Sequence, residues 1–190
     1  MAFLAIVPLA TPALADPQAN VGLTIGGAAR GYDRELFQEP AFHLGMRGDV
    51  LWLRNAATDF GIGPYAELFT HAFDELQVGH GVSLLVPVVD TFPLIFSAGA
   101  YGRIGADDFG FEPGIATAVF FGTRGHNFSS HYDIAAGLLV QGRIGLGSSE
   151  EVSMIIAAQL DAAFLGMPIV YALDAARGGS EETDTVPEEQ

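Results

Sequence analysis

A short polar segment of the chain carries three residue types that are suited to nucleophilic chemistry. Ser129, His131 and Asp133 alternate in sequence, so on an extended strand a nucleophile, a base and an orienting carboxylate share one face. Acyl hydrolysis requires such groups to lie within about 2.6–3.2 Å of one another, whereas same-face neighbours on a strand lie about 6.5 Å apart at the backbone. No oxyanion-hole motif accompanies them. We therefore interpret them as a polar strand end and predict no catalytic residues and no enzyme activity.

The histidines and glycines do not indicate a metal ion or a cofactor. No two histidines have a convincing ligand spacing, and His80 falls among apolar side chains. Gly26 and Gly27 lack the strand-to-helix context of a phosphate-binding loop, and we interpret them as space for packing or curvature in a sheet. We predict neither a metal site nor a cofactor. The five histidines are His43, His71, His80, His126 and His131.

Composition excludes several classes of protein. The 190 residues carry 23 acidic and only 8 basic side chains, all of them Arg, for a net charge of −15. Such a chain lacks the basic face that a nucleic-acid-binding protein needs. The chain has no cysteine, so no disulfide or cysteine-based zinc site is possible. A hydrophobic content of 49% with 16% charged residues argues against disorder, and the length suits one domain.

The first fifteen residues are typical of a secretory signal peptide. Residues 1–15 are uncharged and end in Ala13-Leu14-Ala15, which fits a small-residue cleavage site. The usual basic start is missing, because the first basic residue is Arg30. A buried N-terminal helix is the alternative, which two prolines disfavour. We predict that the protein is exported.

From residue 19 to about 165, apolar and polar side chains alternate with a period of two, which predicts β-strands. In the segment 151–165, for example, the seven even positions from 152 to 164 are all apolar, while Glu151, Gln159 and Asp161 occupy odd positions. Stretches rich in Gly, Asp, Asn, Ser and Pro separate such segments, as turns do. The pattern predicts eight strands at 20–30, 42–54, 60–70, 76–88, 92–104, 109–121, 131–146 and 151–165.

Three architectures compete for these strands. A soluble sandwich or lipocalin-like barrel turns its apolar face inward, but its water-facing side normally carries many Lys, Glu, Thr and Ser. An α-helical membrane protein places Asp161 near the bilayer centre, at a cost of about 2.5–3.5 kcal/mol. A closed membrane barrel has an even number of strands with apolar side chains outward and small or polar ones inward. We therefore predict an all-β, eight-stranded antiparallel up-and-down transmembrane β-barrel over residues 16–173.

Aromatic residues fall near both ends of the predicted strands, as expected for two membrane interfaces. One set lies near connections two, four and six: Trp52, Phe60, Phe92, Phe121 and Tyr132. The other lies near the opposite ends: Phe42, Phe109 and Phe111.

Over about residues 19–165, the sequence resembles the small outer-membrane β-barrel proteins, the OmpA-type and OmpX-type eight-stranded group. The resemblance rests on the signal peptide, the alternating strands and Gly-aromatic segments such as Phe60-Gly61-Ile62-Gly63-Pro64-Tyr65. It implies a cell-envelope protein of a Gram-negative bacterium that the barrel-assembly machinery inserts into outer-membrane lipid. Such barrels usually end on a terminal aromatic residue; Phe164 or Tyr171 would end the last strand here.

The polar face of the strands predicts a lumenal charge network. An eight-stranded barrel is only wide enough for side chains to fill it, and buried charges must be paired. We expect a plug of salt bridges; a narrow, gated, porin-like channel in which Arg103 or Arg143 exchanges carboxylate partners is the alternative. The predicted network consists of Arg30, Arg47, Asp49, Glu67, Arg103, Glu112, Asp133, Arg143 and Asp161.

Residues 174–190 carry six acids and one Arg, a composition typical of a disordered acidic tail. An even strand count puts both barrel termini at one side, which we expect to be the periplasm. The short outward connections are then at 31–40, 71–75, 105–108 and 147–150.

We expect a monomer with a structural role, or at most slow passage of small solutes. One alternative is a secreted soluble barrel that binds an apolar ligand. The other is a lipid-modifying barrel enzyme. Some members of the resembled group deacylate lipid A with a Ser and a His on one strand, but the order and direction of these residues differ from those of Ser129 and His131.

Overall fold

The computed structural model describes residues 16–89, 92–105, 110–124, 134–164, 166–168 and 171–172. Eight antiparallel strands form a closed barrel, in which each strand pairs with its neighbours in chain order and β1 pairs with β8. The prediction of an all-β, eight-stranded, up-and-down barrel is confirmed. The strands are β1 (Gln18–Gly31), β2 (Glu39–Leu51), β3 (Gly61–His71), β4 (Glu75–Val89), β5 (Phe92–Gly105), β6 (Phe111–Gly122), β7 (Ala136–Gly145) and β8 (Val152–Asp161).

The alternation of side chains decides which face of each strand points into the barrel. On β6, Glu112, Ala116 and Phe120 are buried, whereas the intervening Ile115 and Val119 are exposed. The same alternation runs through the other strands. The polar face therefore lines the lumen and the apolar face points outward, which is the opposite of what the soluble-barrel alternative requires. Among the described residues, no helix is long and apolar enough to cross a membrane.

Glycines allow close contact between neighbouring strands. A Cβ atom on Gly26 of β1 would lie 2.1 Å from the carbonyl oxygen of Ile156 on β8. A Cβ on Gly99 of β5 would lie 2.1 Å from the carbonyl oxygen of His80 and 2.7 Å from the hydroxyl of Tyr65. Only glycine fits these two positions without a shift of the backbone. Gly27 has no such neighbour within 4 Å, so the packing role predicted for the glycine pair applies to Gly26 alone.

The barrel has two distinct ends. At the terminal end, β1 begins, β8 ends, and residues 52–60, 90–91 and 123–135 connect the strands. At the distal end, residues 32–38, 72–74, 106–110 and 146–151 connect them. The eight strands thus put the first and last strand termini at the same end, as expected from an even strand count.

The last strand is shorter than the sequence pattern predicts. β8 ends at Asp161, and residues 163–164, 166–168 and 171–172 are helical, so the expectation that Phe164 or Tyr171 ends the last strand is wrong. The side chain of Asp161 accepts a hydrogen bond from the backbone N–H of Ala163 at 2.9 Å, as a helix N-cap does. The predicted signal peptide, residues 1–15, and the acidic tail, residues 174–190, lie outside the described residues.

Candidate functional site: the charged lumen

Eight of the nine residues predicted to form the lumenal charge network lie inside the barrel, and none is more than 7% exposed. Along the barrel axis they group into three clusters, two of which are joined by Gln77. The side chain of Gln77 accepts from Nη1 of Arg143 at 2.7 Å and donates to Oε1 of Glu75 at 2.6 Å. Asp133 lies outside the described residues, as do Ser129, His126 and His131. The eight are Arg30, Arg47, Asp49, Glu67, Arg103, Glu112, Arg143 and Asp161.

The central cluster joins opposite walls of the barrel through Glu67 of β3. The carboxylate of Glu67 accepts a hydrogen bond from Nη1 of Arg47 on β2 at 2.6 Å and from Nη2 of Arg143 on β7. It also accepts from Nε2 of Gln141 on β7 at 3.0 Å. β3 and β7 lie four strands apart in a barrel of eight, so these contacts cross the full width of the lumen.

Aromatic rings enclose the two guanidinium groups of the central cluster. The guanidinium carbon of Arg47 lies 3.9 Å from the centroid of the Tyr65 ring. That of Arg143 lies 3.8 Å from the centroid of Phe69 and 4.7 Å from that of Tyr101. Cation–π contacts of this kind stabilise a desolvated charge by about 2 kcal/mol. The central cluster is therefore packed as well as paired, and it fills the middle of the lumen.

The distal cluster is centred on Arg103 of β5. Its Nε and Nη2 atoms donate to Oε2 of Glu112 at 3.0 and 2.6 Å, and Nη2 also donates to the Ser149 hydroxyl at 2.6 Å. Nη1 donates to Oε2 of Glu75 at 3.3 Å and lies 2.9 Å from Oε2 of Glu151. Arg103 thus faces three buried carboxylates, only one of which the sequence pattern predicted.

A second Arg and a tight turn complete the distal cluster. Nη2 of Arg30 donates to Glu39 and to Asp74, each at 3.3 Å, and Nη1 lies 3.7 Å from Oε1 of Glu75. The turn between β3 and β4 places two non-glycine residues, at positions 72 and 73, in the left-handed region. This turn holds His71 beside Glu75, with Nδ1 of the ring 2.8 Å from Oε1 of the carboxylate.

The terminal cluster pairs a lumenal carboxylate with an Arg from a connection. Nη2 of Arg124, which follows β6, donates to Asp49 of β2, and Nη1 donates to Oδ1 of Asn20 on β1 at 3.2 Å. Alternation along the predicted strand 42–54 places Arg54 on the apolar face, but the structure buries it. Its guanidinium donates to Gln18 at 3.3 Å and to the carbonyl of Ala57 at 3.2 Å. An apolar layer fills the same part of the lumen: Leu51, Leu85, Ile95, Ala118, Phe120 and Leu139.

Burial perturbs the ionisation of the clusters at both barrel ends. Burial raises the pKa of Glu151 to about 7; the attraction of Arg103 opposes the rise, and repulsion by Glu75 adds to it. Burial lowers the pKa of Arg124, against the attraction of Asp49. Burial, with repulsion by Arg124, lowers the pKa of Arg54 to about 10, so Arg54 remains charged at neutral pH.

Sequence reasoning missed two kinds of lumenal residue. Glu151 shares the polar face of the predicted strand 151–165 with Asp161 but is not part of the predicted network. Arg124 lies in a connection, where alternation along a strand assigns no face. The apolar layer comes from unbroken apolar runs such as Leu84-Leu85-Val86 and Leu138-Leu139-Val140. Such runs indicate that both strand faces are apolar, and this signal was present in the sequence.

These features define a closed eight-stranded antiparallel β-barrel whose lumen is filled by paired charges, aromatic rings and an apolar layer. The chain matches no protein-family model and no curated protein.

Proposed function

We propose that the protein is an exported outer-membrane β-barrel of the small eight-stranded kind that the sequence resembles, with a structural role in the cell envelope and at most slow passage of small solutes. The observation that carries this proposal is the outer surface of the barrel. Large apolar side chains are exposed on all eight strands. Soluble monomers rarely expose contiguous apolar patches larger than a few hundred Å², whereas lipid is the natural solvent for such a belt.

The spacing of the exposed aromatic residues supports this environment. Phe42 and Trp52 lie ten residues apart along and just beyond β2, and Phe111 and Phe121 lie ten residues apart on β6. A rise of about 3.4 Å per residue and a tilt of about 45° convert that separation into a height of about 24 Å. The apolar band of outer-membrane barrels is about 25 Å tall and is bordered by aromatic girdles.

Each girdle also contains paired rings. At the terminal end the rings of Phe92 and Phe121 lie 6.0 Å apart, and at the distal end those of Phe42 and Phe73 lie 6.0 Å apart. All four rings are exposed on the outer surface. They are well placed to lie at the two interfaces between lipid and water, the region in which aromatic residues are enriched.

The filled lumen argues for a structural role rather than a porin role. The hydrogen bonds of Glu67 to β2 and β7 cross the lumen at its middle, and the apolar layer fills its terminal end. Water-filled channels are typical of barrels with 16 or more strands. Insertion by the barrel-assembly machinery into outer-membrane lipid, as a monomer, belongs to the same proposal.

The direct test of this function is fractionation followed by electrophoresis with and without boiling. We expect the protein to sediment with the outer membrane and to require detergent for extraction. The unboiled, folded barrel should migrate differently from the boiled chain, because a closed barrel resists unfolding by detergent. Recovery in the soluble fraction with no shift in mobility would contradict the proposal.

A conductance measurement tests the filled lumen separately. In planar lipid bilayers we expect the protein to show no open-pore steps. Tyr101→Ala removes a buried lumenal ring without removing an ion-pair partner, and we expect it to produce small conductance steps. Phe96→Ala, on the outer face of the same strand, is the matched control and should remain silent. Porin-like conductance by the unmodified protein would contradict a filled lumen.

A further inference from the structure

The distal cluster contains three metal-ligating side chains that the barrel architecture brings together. His71 ends β3, Glu75 begins β4 and Glu151 immediately precedes β8. One ligand atom from each lies within 4.8 Å of the other two. At tetrahedral angles, bond lengths of about 2.0–2.2 Å place two ligands of one zinc ion about 3.3–3.6 Å apart. Side-chain shifts of about 1 Å therefore bring all three atoms within range of a single ion.

Two of these side chains are buried without the hydrogen bonds that they need. The side chain of Glu151 is 1% exposed and that of His71 is 0% exposed. Oε1 of Glu151 and Nε2 of His71 have neither a hydrogen-bond nor an ion-pair partner among the described residues. Such groups are costly to bury. The other two atoms have one contact each. Oε2 of Glu151 lies 2.9 Å from Nη1 of Arg103, and Nδ1 of His71 lies 2.8 Å from Oε1 of Glu75.

The buried charges of the distal cluster do not balance. Its buried cations are Arg30 and Arg103, and its buried carboxylates are Glu75, Glu112 and Glu151. Arg103 makes its shortest contact to a carboxylate with Glu112, at 2.6 Å. Its Nη1 atom is shared between Glu75 and Glu151, and Oε1 of Glu75 also accepts from Gln77 at 2.6 Å. With all three carboxylates ionised, the buried carboxylates outnumber the buried cations by one, which favours a bound cation.

We propose that His71, Glu75 and Glu151 form a binding site for a divalent transition-metal ion. One imidazole and two carboxylates are a donor set suited to zinc and its first-row neighbours. The site joins β3, β4 and the connection before β8, so the ion ties together three separate parts of the distal end. It is independent of the membrane proposal, because it requires only the folded barrel.

The test is a titration of the full-length folded chain in detergent, treated first with a chelator. With Zn²⁺ as the probe, isothermal titration should give one ion per chain. Co²⁺ should bind the unmodified protein with visible absorption bands that Zn²⁺ abolishes by competition. Glu151→Gln and His71→Gln should each weaken Zn²⁺ binding by at least about the tenfold that loss of an outer-shell partner costs.

Two matched variants serve as controls. Glu150→Gln changes the exposed neighbour of Glu151, and His80→Gln changes a histidine exposed on the outer face. Both should bind Zn²⁺ like the unmodified protein, and unboiled gel mobility shows that each variant has folded. No binding by the unmodified protein would overturn the proposal and would leave a proton to neutralise the cluster. Unchanged binding by Glu151→Gln and His71→Gln would identify adventitious metal only and would overturn it equally.

Discussion

Replacing Glu67 by Gln is expected to lower the free energy of unfolding by about 3–5 kcal/mol. Among the described residues, Glu67 is the only carboxylate that contacts Arg47 and Arg143, and all three side chains are buried. Gln preserves the size of the side chain but removes the counter-charge of two buried guanidinium groups. The measurement is urea unfolding of the folded protein in detergent, followed by the fluorescence of Trp52, the one tryptophan of the chain.

The control for this prediction removes a carboxylate from an exposed ion pair. Glu150 lies 3.1 Å from Nη2 of Arg34, and both side chains are exposed to solvent. Because exposed pairs contribute about 0–1 kcal/mol, Glu150→Gln should lower the free energy of unfolding by no more than that. Equal, small effects of the two substitutions would mean that Arg47 and Arg143 are hydrated in the lumen, and the filled-lumen hypothesis would fail.

A double-mutant cycle separates pairing from loss of packing. Arg143→Met removes one guanidinium and keeps an unbranched chain beside Phe69 and Tyr101. Combined with Glu67→Gln, it leaves one uncompensated cation instead of two. The double variant should therefore lose less free energy of unfolding than the two single variants lose in sum, by about 0.5–3 kcal/mol. Strict additivity would show that Glu67 and Arg143 do not stabilise each other.

Side chains alternate between the two faces of a strand, and this alternation allowed the sequence to predict that Arg47, Glu67 and Arg143 face the lumen. A side chain's face follows from its position relative to its strand neighbours and does not require knowledge of strand pairing. No charged residue interrupts the apolar face inside a strand. The residues on the inward face therefore follow directly from the alternation in the sequence. The same argument covers the closed barrel, because eight such strands with an exposed apolar face have no other way to pair both edges.

Strand parity does not reveal which lumenal charges meet. Arg47 lies opposite Glu67 because of the register between β2 and β3, which no short turn of recognisable type specifies in the connection 52–60. Arg143 reaches Glu67 from across the barrel, a contact that depends on strand tilt and stagger. Glu151 shares the polar face of the predicted last strand, but its position beside Arg103 depends on how the strands pair at the distal end.

The substitution Met46→Arg tests whether the outer face of the barrel contacts lipid. Met46 is 48% exposed on the outer face of β2, between the aromatic residues Phe42 and Trp52. Arg is also unbranched, so the substitution adds a charge with little change in shape near the backbone. At the middle of a bilayer such a charge costs about 2–4 kcal/mol. We expect a loss of that size in the free energy of unfolding from lipid vesicles.

Leu146→Arg is the matched control for depth. Leu146 is 64% exposed in the connection after β7, at the distal end of the barrel, where an interfacial Arg costs about 0–1 kcal/mol. Leu146 is more exposed than Met46, yet we expect its substitution to cause the smaller loss in free energy of unfolding. A difference in this direction therefore reports depth in lipid and not exposure of the side chain. If both variants have the same free energy of unfolding as the unmodified protein, the middle of the apolar belt contacts water or protein rather than lipid. The membrane proposal would then fail, although the barrel itself would remain intact.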